Sequence, residues 1–480
     1  MEIWMNSVED LLKLKKTKNI TSNELQQYYK RRLNIIDEKV KAFIHYSKPS
    51  QANSSKGILA GIPYAIKDNI MALGTRTTAA SRMLWNYHSS YNATVVQHLN
   101  NEGALLIGKT NMDEFSMGST TENSAFFPTK NPWDLERIPG GSSGGSAVAV
   151  ATGMVPFALG SDTGGSIRLP ASYCGVVGFK PSYPLVSRYG LIAFASSMDQ
   201  IGPITRSVRD AAFIMNVISR KCRYDATKIN KMTNYLKKIE EPLNGFRLAC
   251  LRETVEDGCN INIQKRFEEA IVQLQWMGIT IDYINLDHIS DAYPIYTIIS
   301  SAEASSNLAR YDGILYGLKV KAQERIKNRQ KTRSVGFGSE VKRRIMLGTF
   351  NLSHQRYEDY YQHAIHLRAI VTHQLKELFK SYDAIISPVS KRSPGKIGEK
   401  SDIQILCQYD SNTVLANLAG LPAITVPMGF AGKTPVGLQF MTDQFEDEKL
   451  FQIARAYEKT AGFYEDGCYP APHLEGMGDV

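Results

Sequence analysis

The sequence predicts an α/β fold in which a mixed, largely parallel sheet is covered by helices. Short apolar runs typical of buried strands alternate along the chain with longer stretches of helical periodicity. With 480 residues, 43% of them hydrophobic, the chain can bury a large core. Alternation of this kind is typical of proteins whose helices cover a central sheet.

Nine runs are predicted to be strands and six to be helices. The predicted strands cover residues 62–66, 104–108, 155–159, 176–179, 246–250, 279–285, 383–387, 422–427 and 436–440. The predicted helices cover residues 22–42, 92–101, 207–219, 262–276, 355–380 and 447–460.

Composition excludes several classes of protein. No apolar run approaches 18 residues, so we expect no membrane span. The first ten residues contain acidic residues and no arginine, unlike a secretory or organellar leader, which favours a cytoplasmic protein. The six cysteines are scattered without a Cys-x-x-Cys pair. We therefore expect reduced thiols and no metal site.

Two glycine-lined loops hold the candidate nucleophiles. Residues 139–146 read PGGSSGGS and residues 160–168 read GSDTGGSIR, which places Ser142 and Ser166 24 residues apart. Glycine lets the backbone approach a ligand closely, and successive backbone N–H groups in such turns can bind negative charge. The loops therefore indicate a serine nucleophile.

Other interpretations of these loops fit less well. A flexible linker has polar flanks, whereas these loops adjoin a buried-helix pattern at 147–151 and a strand-like run at 155–159. No phosphate-binding Gly-x-x-x-x-Gly-Lys-Ser/Thr pattern is present. Residues 140–144 match the Gly-x-Ser-x-Gly elbow of α/β-hydrolases, but residues 131–138 lack the strand that must precede it. No candidate histidine lies in a glycine-rich or strand-end position: His288, His354, His363, His366, His373 and His473.

Lys67 is the candidate base in place of histidine. It follows the apolar run 61–66, which would carry it into the interior. A lysine accepts a proton only when neutral, so burial must lower its pKa from about 10.4 toward neutrality. A fall of about three pKa units corresponds to roughly 4 kcal/mol. Asp68 leaves an alternative open, in which Lys67 forms a charge pair at the surface.

Three segments resemble the amidase signature family, whose members hydrolyse amides with a Ser-Ser-Lys triad. They read GIPYAIKDN at 61–69, IPGGSSGGSAVAV at 138–150 and ALGSDTGGSIRLPASYCGVVGFKPS at 158–182. The resemblance implies one amidase-type domain over residues 1–480, with a surface excursion near 222–243. It implies no metal or other cofactor in this chain.

The same resemblance assigns the catalytic roles. It implies that Ser166 is the nucleophile, that Ser142 relays the proton and follows a cis peptide bond, and that Lys67 is the base. It also implies an oxyanion hole made of four backbone N–H groups, those of Thr163, Gly164, Gly165 and Ser166.

Within the family, four further stretches resemble the glutamine-hydrolysing A subunits of tRNA-dependent amidotransferases: 108–115, 301–313, 340–350 and 417–429. This implies ammonia release from glutamine for converting Glu-tRNA(Gln) to Gln-tRNA(Gln), and in some members Asp-tRNA(Asn) to Asn-tRNA(Asn). It further implies a heterotrimer with B and C subunits, contact with charged tRNA through the complex, and ATP and magnesium on a partner subunit.

The glutamine-binding residues of those subunits align with Tyr296, Arg343 and Asp410. An arginine suits the α-carboxylate of an amino acid, and an aspartate suits its α-ammonium group. Arg344, next to Arg343, is an alternative for the arginine.

The net charge of +9 suits a protein that works beside tRNA. The basic residues are spread along the chain except for a cluster from Lys319 to Lys342. No RNA-binding motif is present, so we expect a solvated basic face rather than direct tRNA recognition.

The sequence departs from the pattern of those A subunits at one place, and two alternative functions are open. Pro184 and Leu185 stand where those subunits usually have Gly-Arg, which affects the local loop or partner geometry rather than the triad.

A stand-alone amidase acting on small or fatty amides is the main alternative, and it would need an open or apolar pocket. A catalytically inactive interaction protein is disfavoured because all three triad positions are filled.

Overall fold

The computed structural model describes residues 3–47, 56–231, 233–256, 258–322, 324–399, 403–462 and 471–474. In chain order its elements are α1 (Val8–Lys16), α2 (Ser22–Val40), β1 (Phe43–Tyr46), β2 (Pro63–Lys67), α3 (Thr94–Asn101), β3 (Leu105–Thr110), α4 (Gly144–Ala151), β4 (Phe157–Asp162), α5 (Arg168–Cys174), β5 (Val177–Lys180), β6 (Gln200–Thr205), α6 (Val208–Ile218), β7 (Arg247–Leu251), α7 (Ile261–Trp276), β8 (Thr280–Ile284), α8 (Ala292–Asn307), α9 (Arg325–Gly336), α10 (Ser339–Asn351), α11 (His363–Leu378), β9 (Ala384–Pro388), α12 (Ile403–Asp410), α13 (Val414–Leu418), β10 (Ala423–Ala431), β11 (Thr434–Met441) and α14 (Asp447–Thr460).

The described strands form one sheet of eleven, in the order β1-β3-β2-β4-β6-β5-β10-β11-β9-β7-β8. The predicted α/β fold with a mixed sheet is therefore confirmed. Parallel pairing is less extensive than predicted: four pairs are parallel, β2–β3, β2–β4, β7–β8 and β7–β9, and the other six are antiparallel. Short connections explain part of this result, since the tight turn between β10 and β11 permits only antiparallel pairing.

All nine predicted strands are present, with boundaries shifted by a few residues, and two more occur. β1 has only four residues, and β6 contains Gly202 and Pro203, which argue against a strand by propensity. Pairing with β4 on one side and β5 on the other overrides that preference. Such neighbours are set by the tertiary fold and leave no local pattern.

The six predicted helices are also present, but the stretch 355–380 is not uniform. Its first part, Tyr357–Gln362, is π-helical, and α11 follows it.

The described chain forms no helix or strand between residues 221 and 246, the tract predicted to be a surface excursion. Leu185, at the departure from the family pattern, is buried, and the Tyr183–Pro184 peptide bond is cis. No helix in the described ranges is both long and apolar enough to cross a membrane.

The sheet positions the candidate residues because β2 and β4 are adjacent and parallel. The carboxyl ends of parallel neighbours lie at the same edge of a sheet, so Lys67 at the end of β2 and Asp162 at the end of β4 are brought together. α4 consists of small residues, all of them buried. Its close packing on this region places the loop that precedes it, which carries Ser142, at the same edge.

Candidate active site

Lys67 and the two loop serines meet at the carboxyl edge of β2 and β4. Lys67 Nζ lies 2.6 Å from Ser142 Oγ, and both side chains are fully buried. Ser166 follows β4 in the second glycine-lined loop and is 8% exposed. The Gly141–Ser142 peptide bond is cis, as predicted. The structure therefore brings together residues that lie 75 and 24 positions apart in the chain.

Lys67 has the environment of a neutral amine. Burial lowers the pKa of its amine to about 7, an effect that the buried carboxylates of Asp113, Asp162 and Asp199 oppose. The alternative surface pair with Asp68 is wrong, because Asp68 pairs instead with the buried ammonium group of Lys109 at 3.4 Å.

The three contacts of Lys67 match the two N–H donors and the one lone pair of a neutral amine. Its Nζ lies 3.0 Å from Ser161 Oγ and 3.2 Å from the Ser161 carbonyl oxygen. A neutral amine has two N–H bonds and one lone pair. If both N–H bonds are donated to Ser161, the lone pair faces the Ser142 hydroxyl. Asn69 fixes Ser161 in turn, since its Nδ2 donates to Ser161 Oγ at 2.9 Å.

Ser166 differs from Ser142 in its availability. No residue in the described part of the chain hydrogen-bonds its hydroxyl, whereas its backbone carbonyl accepts the N–H of Ser143 at 3.1 Å. The second link of the predicted triad, between the Ser142 and Ser166 hydroxyls, is therefore not closed by a hydrogen bond in this structure. Ser166 is the partly accessible member of the three and the one that can meet a substrate.

The four predicted oxyanion donors are not equivalent. The N–H of Gly165 is donated to Asp162 Oδ1 at 2.9 Å. The Gly165 N–H is therefore not available to an oxyanion, which corrects the role predicted for Gly165. Among the described residues the N–H groups of Thr163, Gly164 and Ser166 have no acceptor, so three of the four remain available. The fourth N–H group, that of Gly165, binds Asp162 because the Asp162 carboxylate folds back over the turn. The same carboxylate also accepts the N–H of Ile167 at 3.1 Å.

An ion pair that the sequence analysis did not single out supports this turn. Arg168 Nη2 lies 2.9 Å from Asp162 Oδ1, and both side chains are completely buried. Burial alone would raise the pKa of Asp162, but the Arg168 guanidinium holds it well below its ordinary value. Arg168 also donates to the carbonyl oxygen of Thr413 at 2.8 Å and to Gln439 Oε1 at 2.6 Å. The loop with Ser166 is thereby tied to two distant segments.

Thr163 is held by a second buried carboxylate. Its Oγ1 donates to Asp199 Oδ1 at 2.6 Å, and Asp199 also accepts the N–H groups of Phe194 and Ala195. Burial raises the pKa of Asp199 despite these bonds. The contact restrains Thr163 within the turn that holds Ser166.

Tyr296 and Asp410 lie beside this loop. A Cβ atom on Gly164 would lie 2.5 Å from Tyr296 Cζ, so the phenol ring of Tyr296 rests directly against the backbone of that glycine. Ser119 donates a hydrogen bond to the Asp410 carboxylate. Thr413 Oγ1 lies 2.6 Å from the carbonyl oxygen of Gly164 and 2.9 Å from that of Asp410, and so connects the two loops. Thr413 had no distinguishing sequence signal.

The arginine that faces these residues is Arg344 rather than Arg343. The guanidinium of Arg343 is 41% exposed and is bound by Glu340 at 2.6 and 2.7 Å. Consecutive helical residues point about 100° apart, so its neighbour on α10 faces inward. Arg344 is 8% exposed, also contacts Glu340, and its Nη1 is buried without a hydrogen-bond partner among the described residues.

Charges couple Arg344 to the other two residues. Burial raises the pKa of Asp410 to about 7, while Ser119 and the guanidinium of Arg344 act in the opposite direction. Arg344 likewise opposes the rise in the pKa of Tyr296 that burial causes. Tyr296, Arg344 and Asp410 thus form an electrostatically coupled polar cluster that combines a cationic nitrogen without a hydrogen-bond partner among the described residues with a carboxylate.

The described residues contain no group of three His, Cys, Asp or Glu side chains that could hold a metal ion. Five cysteines, at 174, 222, 250, 259 and 407, are free thiols. Cys468 lies outside the described residues.

Comparison with known proteins identifies the family. The amidase family model matches residues 24–451. The A subunit of glutamyl-tRNA(Gln) amidotransferase from Thermotoga maritima is 50% identical over 469 residues, with 98% of each chain covered. The corresponding protein of Geobacillus thermodenitrificans is 44% identical over 480 residues, with 97% of this chain and 99% of that one covered.

Solved structures agree with this assignment. The crystal structure of the Thermotoga maritima protein superposes with a TM-score of 0.86, at 46% identity and with 99% of each chain covered. A peptide amidase bound to chymostatin has a TM-score of 0.78 at 26% identity, with 98% of this chain and 99% of that one covered. The chain therefore belongs to the amidase family and, within it, to the glutamyl-tRNA(Gln) amidotransferase A subunits.

Proposed function

We propose that this chain is the glutaminase of a tRNA-dependent amidotransferase and releases ammonia from glutamine. The observation that carries the proposal is the 2.6 Å contact between Lys67 Nζ and Ser142 Oγ, made by a lysine whose pKa burial lowers to about 7. A buried base of that pKa is about half neutral at physiological pH and can accept a proton.

The reaction uses the three residues as one relay. The Ser166 hydroxyl attacks the side-chain amide carbon of glutamine while its proton passes to Ser142 and the proton of Ser142 passes to Lys67. The proton then returns along the same path to the amide nitrogen, the C–N bond breaks, and ammonia leaves. Water enters by the same relay, cleaves the ester on Ser166 and releases glutamate.

Backbone N–H groups stabilise the intermediate. The free N–H groups of Thr163, Gly164 and Ser166 belong to one turn and can bind the oxyanion that forms on the amide oxygen. Each fixed donor of this kind typically contributes about 3–4 kcal/mol to transition-state stabilisation. The Asp162–Arg168 pair holds the turn before the substrate arrives, so little reorganisation is needed.

The polar cluster of Tyr296, Arg344 and Asp410 suits a free amino acid. The unpartnered Nη1 of Arg344 can bind the α-carboxylate, and Asp410 can bind the α-ammonium group, with Tyr296 beside them. An apolar or fatty amide would leave Nη1 of Arg344 without an acceptor and the Asp410 carboxylate without a cation in a buried site, which costs free energy. The cluster therefore favours glutamine over the substrates of a stand-alone amidase.

The resemblance to tRNA-dependent amidotransferase A subunits leads us to propose the rest of the assembly. In this proposal the chain works in the cytoplasm in a heterotrimer with B and C subunits and meets Glu-tRNA(Gln) through that complex. One of the partner subunits uses ATP and magnesium to activate the tRNA-bound glutamate and receives the ammonia. Asp-tRNA(Asn) is the second substrate to assay with the same complex.

Ammonium rescue tests the proposal. The complex with Ser166→Ala should make no Gln-tRNA(Gln) from glutamine but should make it at the wild-type rate from ammonium at high concentration with ATP. Ser353→Ala, which removes the same oxygen from an exposed loop, is the control and should use both donors. A wild-type complex that does not use glutamine, or hydrolysis of simple amides in preference to glutamine, would contradict the proposal and favour a stand-alone amidase.

A further inference from the structure

Asp113 is a fully buried carboxylate that the proposed mechanism does not use. It lies between β3 and α4 and holds the loop of residues 118–123, which we call the bridging loop. Its Oδ2 accepts the backbone N–H groups of Thr120 at 3.3 Å and Thr121 at 2.9 Å. Its Oδ1 accepts the backbone N–H of Asn123 at 3.1 Å and the side-chain Nδ2 of the same residue at 3.2 Å. The carboxylate therefore determines the shape of this loop.

Asp113 also contacts the loop that carries Ser142. Its backbone N–H is donated to the carbonyl oxygen of Ser142 at 3.3 Å. A Cβ atom on Gly141 would collide with Oδ2 of Asp113, so the residue before Ser142 rests directly on the carboxylate. Asp113 therefore restrains Ser142 through both its main chain and its side chain.

The bridging loop holds the turn around Ser142 at both ends. Thr121 Oγ1 donates to the carbonyl oxygen of Gly140 at 2.8 Å and accepts the N–H of Gly144 at 3.1 Å. These two glycines lie on either side of Ser142, so one hydroxyl joins the two ends of the turn. The backbone N–H of Thr121 is itself bound by Asp113, which fixes the position of that hydroxyl.

The bridging loop reaches the polar cluster as well. Ser119 donates to the Asp410 carboxylate. The preceding residue, Gly118, has a φ of +148°, and a Cβ atom on it would lie 2.6 Å from Asp113 Cγ. This glycine therefore also rests against the carboxylate. One buried side chain thus supports both the Ser142 turn and the group proposed to bind the α-ammonium of glutamine.

The charge of Asp113 acts on Lys67. Burial raises the pKa of Asp113 to about 6, which the hydrogen bonds from the bridging loop and the charge of Lys67 oppose, so the carboxylate is mostly ionised at pH 7. The carboxylates of Asp113, Asp162 and Asp199 all act on Lys67. Glu114, the next residue, accepts a hydrogen bond from the backbone just before α10 instead. Of the three carboxylates, Asp113 is the one hydrogen-bonded to Ser142.

We propose that Asp113 is a positioning residue that holds the relay serine Ser142 and the substrate-binding carboxylate Asp410 at a fixed distance from each other. The inference rests on the proposed function, because it concerns the same site. Asp113 acts through the bridging loop, which turns Ser119 toward Asp410 and Thr121 toward the Ser142 turn. Small errors in such a distance are costly, since a displacement of about 1 Å can slow a reaction about a hundredfold.

The pH profile of the assembled enzyme tests the charge of Asp113. Asp113→Asn removes a negative charge that favours protonated Lys67, so the acidic limb of kcat/KM for a small amide should move to lower pH by about 0.5 pH unit or more. A structural loss that admits water would act in the opposite direction, because hydration returns the pKa of Lys67 toward its ordinary, higher value. An unchanged limb, or one moved to higher pH, would overturn the inference.

Asp210→Asn is the matched control for this substitution. Asp210 is a buried carboxylate on α6 that accepts the backbone N–H of Val8, and it has no contact with the site. The control should leave the acidic limb in place. Denaturant unfolding verifies that each variant is folded under the assay conditions.

Two variants of the bridging loop test the proposal without altering the buried carboxylate. Ser119→Ala should raise KM for glutamine at least about threefold, because Asp410 loses a donor that favours its ionised form, and should leave kcat/KM for the small amide within about twofold. Thr121→Val keeps the shape of the side chain and removes the hydroxyl bridge. It should therefore lower kcat/KM at least about tenfold for both substrates.

Asp113→Asn should show both of these effects together. Should that variant not fold, the double variant Ser119→Ala with Thr121→Val replaces it and should likewise combine the two effects. Wild-type constants for Ser119→Ala and Thr121→Val, or only one of the two effects in Asp113→Asn, would overturn the inference.

The outcomes separate this inference from the proposed function. If the wild-type complex hydrolyses glutamine and Asp113→Asn behaves like Asp210→Asn, only the inference about Asp113 is overturned. If the wild-type complex hydrolyses small amides but not glutamine, the proposed function fails, while a shift of the acidic limb to lower pH still supports the action of Asp113 on Lys67. A wild-type complex that hydrolyses no amide would overturn both.

Discussion

Lys67 Nζ and Ser142 Oγ are 2.6 Å apart in a part of the protein that water does not reach. The distance is short enough for direct proton transfer, and the two remaining positions of the amine are directed at Ser161. A protonated lysine here would lose hydration without gaining a carboxylate in direct contact, and the more distant Asp113, Asp162 and Asp199 compensate only in part, so burial lowers its pKa. In the proposed relay, this contact would tie the protonation state of Lys67 to the reactivity of the serines.

The first prediction concerns the relay as a unit. Ser166→Ala should reduce glutamine hydrolysis by at least about a thousandfold, and Ser142→Ala and Lys67→Ala should each remove most of the activity. The double variant Ser142→Ala with Lys67→Ala should be no slower than the worse single variant, because the path is already broken. Steady-state rates of the assembled enzyme measure this. Additive losses, or an acyl group trapped on Ser142, would reassign the roles.

The second prediction concerns pH. Lys67 acts as a base only when neutral, so kcat/KM should rise with pH up to about pH 7 and level off above it. Below pH 7 the rate should fall about tenfold per pH unit. The profile is best measured with a small amide that lacks an α-ammonium group, since Asp410, whose pKa burial also raises to about 7, then plays no part. A flat profile between pH 6 and 8 would contradict the assignment of Lys67.

The third prediction distinguishes two adjacent arginines. Arg344→Ala should raise KM for glutamine by about tenfold or more, because the α-carboxylate would lose its charged partner, and leave hydrolysis of an amide without a carboxylate little changed. Arg343→Ala is the matched control on the same helix and should change KM for glutamine less than about twofold. The reverse result would restore Arg343 to the site.

The fourth prediction concerns Asp410. Asp410→Asn keeps the shape of the side chain and removes its charge, so KM for glutamine should rise while kcat/KM for an amide without an α-ammonium group stays near its wild-type value. Comparison of the two substrates provides the measurement. Equal damage toward both would mean that Asp410, through Ser119 and Thr413, supports the loop rather than the substrate.

The fifth prediction concerns stability. Arg168→Met leaves the Asp162 carboxylate buried without its cation, and loss of one partner from a buried pair costs about 3–5 kcal/mol in the free energy of unfolding. Arg343→Met removes an arginine from an exposed pair with Glu340 and should cost less than about 1 kcal/mol. Denaturant unfolding of the two variants compares these values. Equal stability would mean that the turn with Ser166 does not depend on the ion pair.

Local patterns in the sequence were sufficient to predict the fold class, the nine strands with a clear apolar run, and the three residues proposed as the triad. These features depend on periodicity and on motifs in which glycine and serine occupy set positions, and both are visible in one dimension. Tyr296 and Asp410 were found by their alignment with relatives, since no pattern around either residue marks it as part of a site.

Contacts between distant segments were needed to distinguish Lys67 as a buried base from Lys67 as a surface partner of Asp68, because burial depends on residues far along the chain. The same packing turns Arg344 inward and Arg343 outward, a difference of about 100° on one helix. No local sequence pattern identifies the elements that pack against this helix. Whether the Gly165 N–H points at Asp162 or at a substrate depends on the backbone direction within one turn. Arg168 and Thr413 hold that turn through hydrogen bonds between residues more than 240 positions apart. Such contacts set direction and distance, which residue types and spacing alone do not specify.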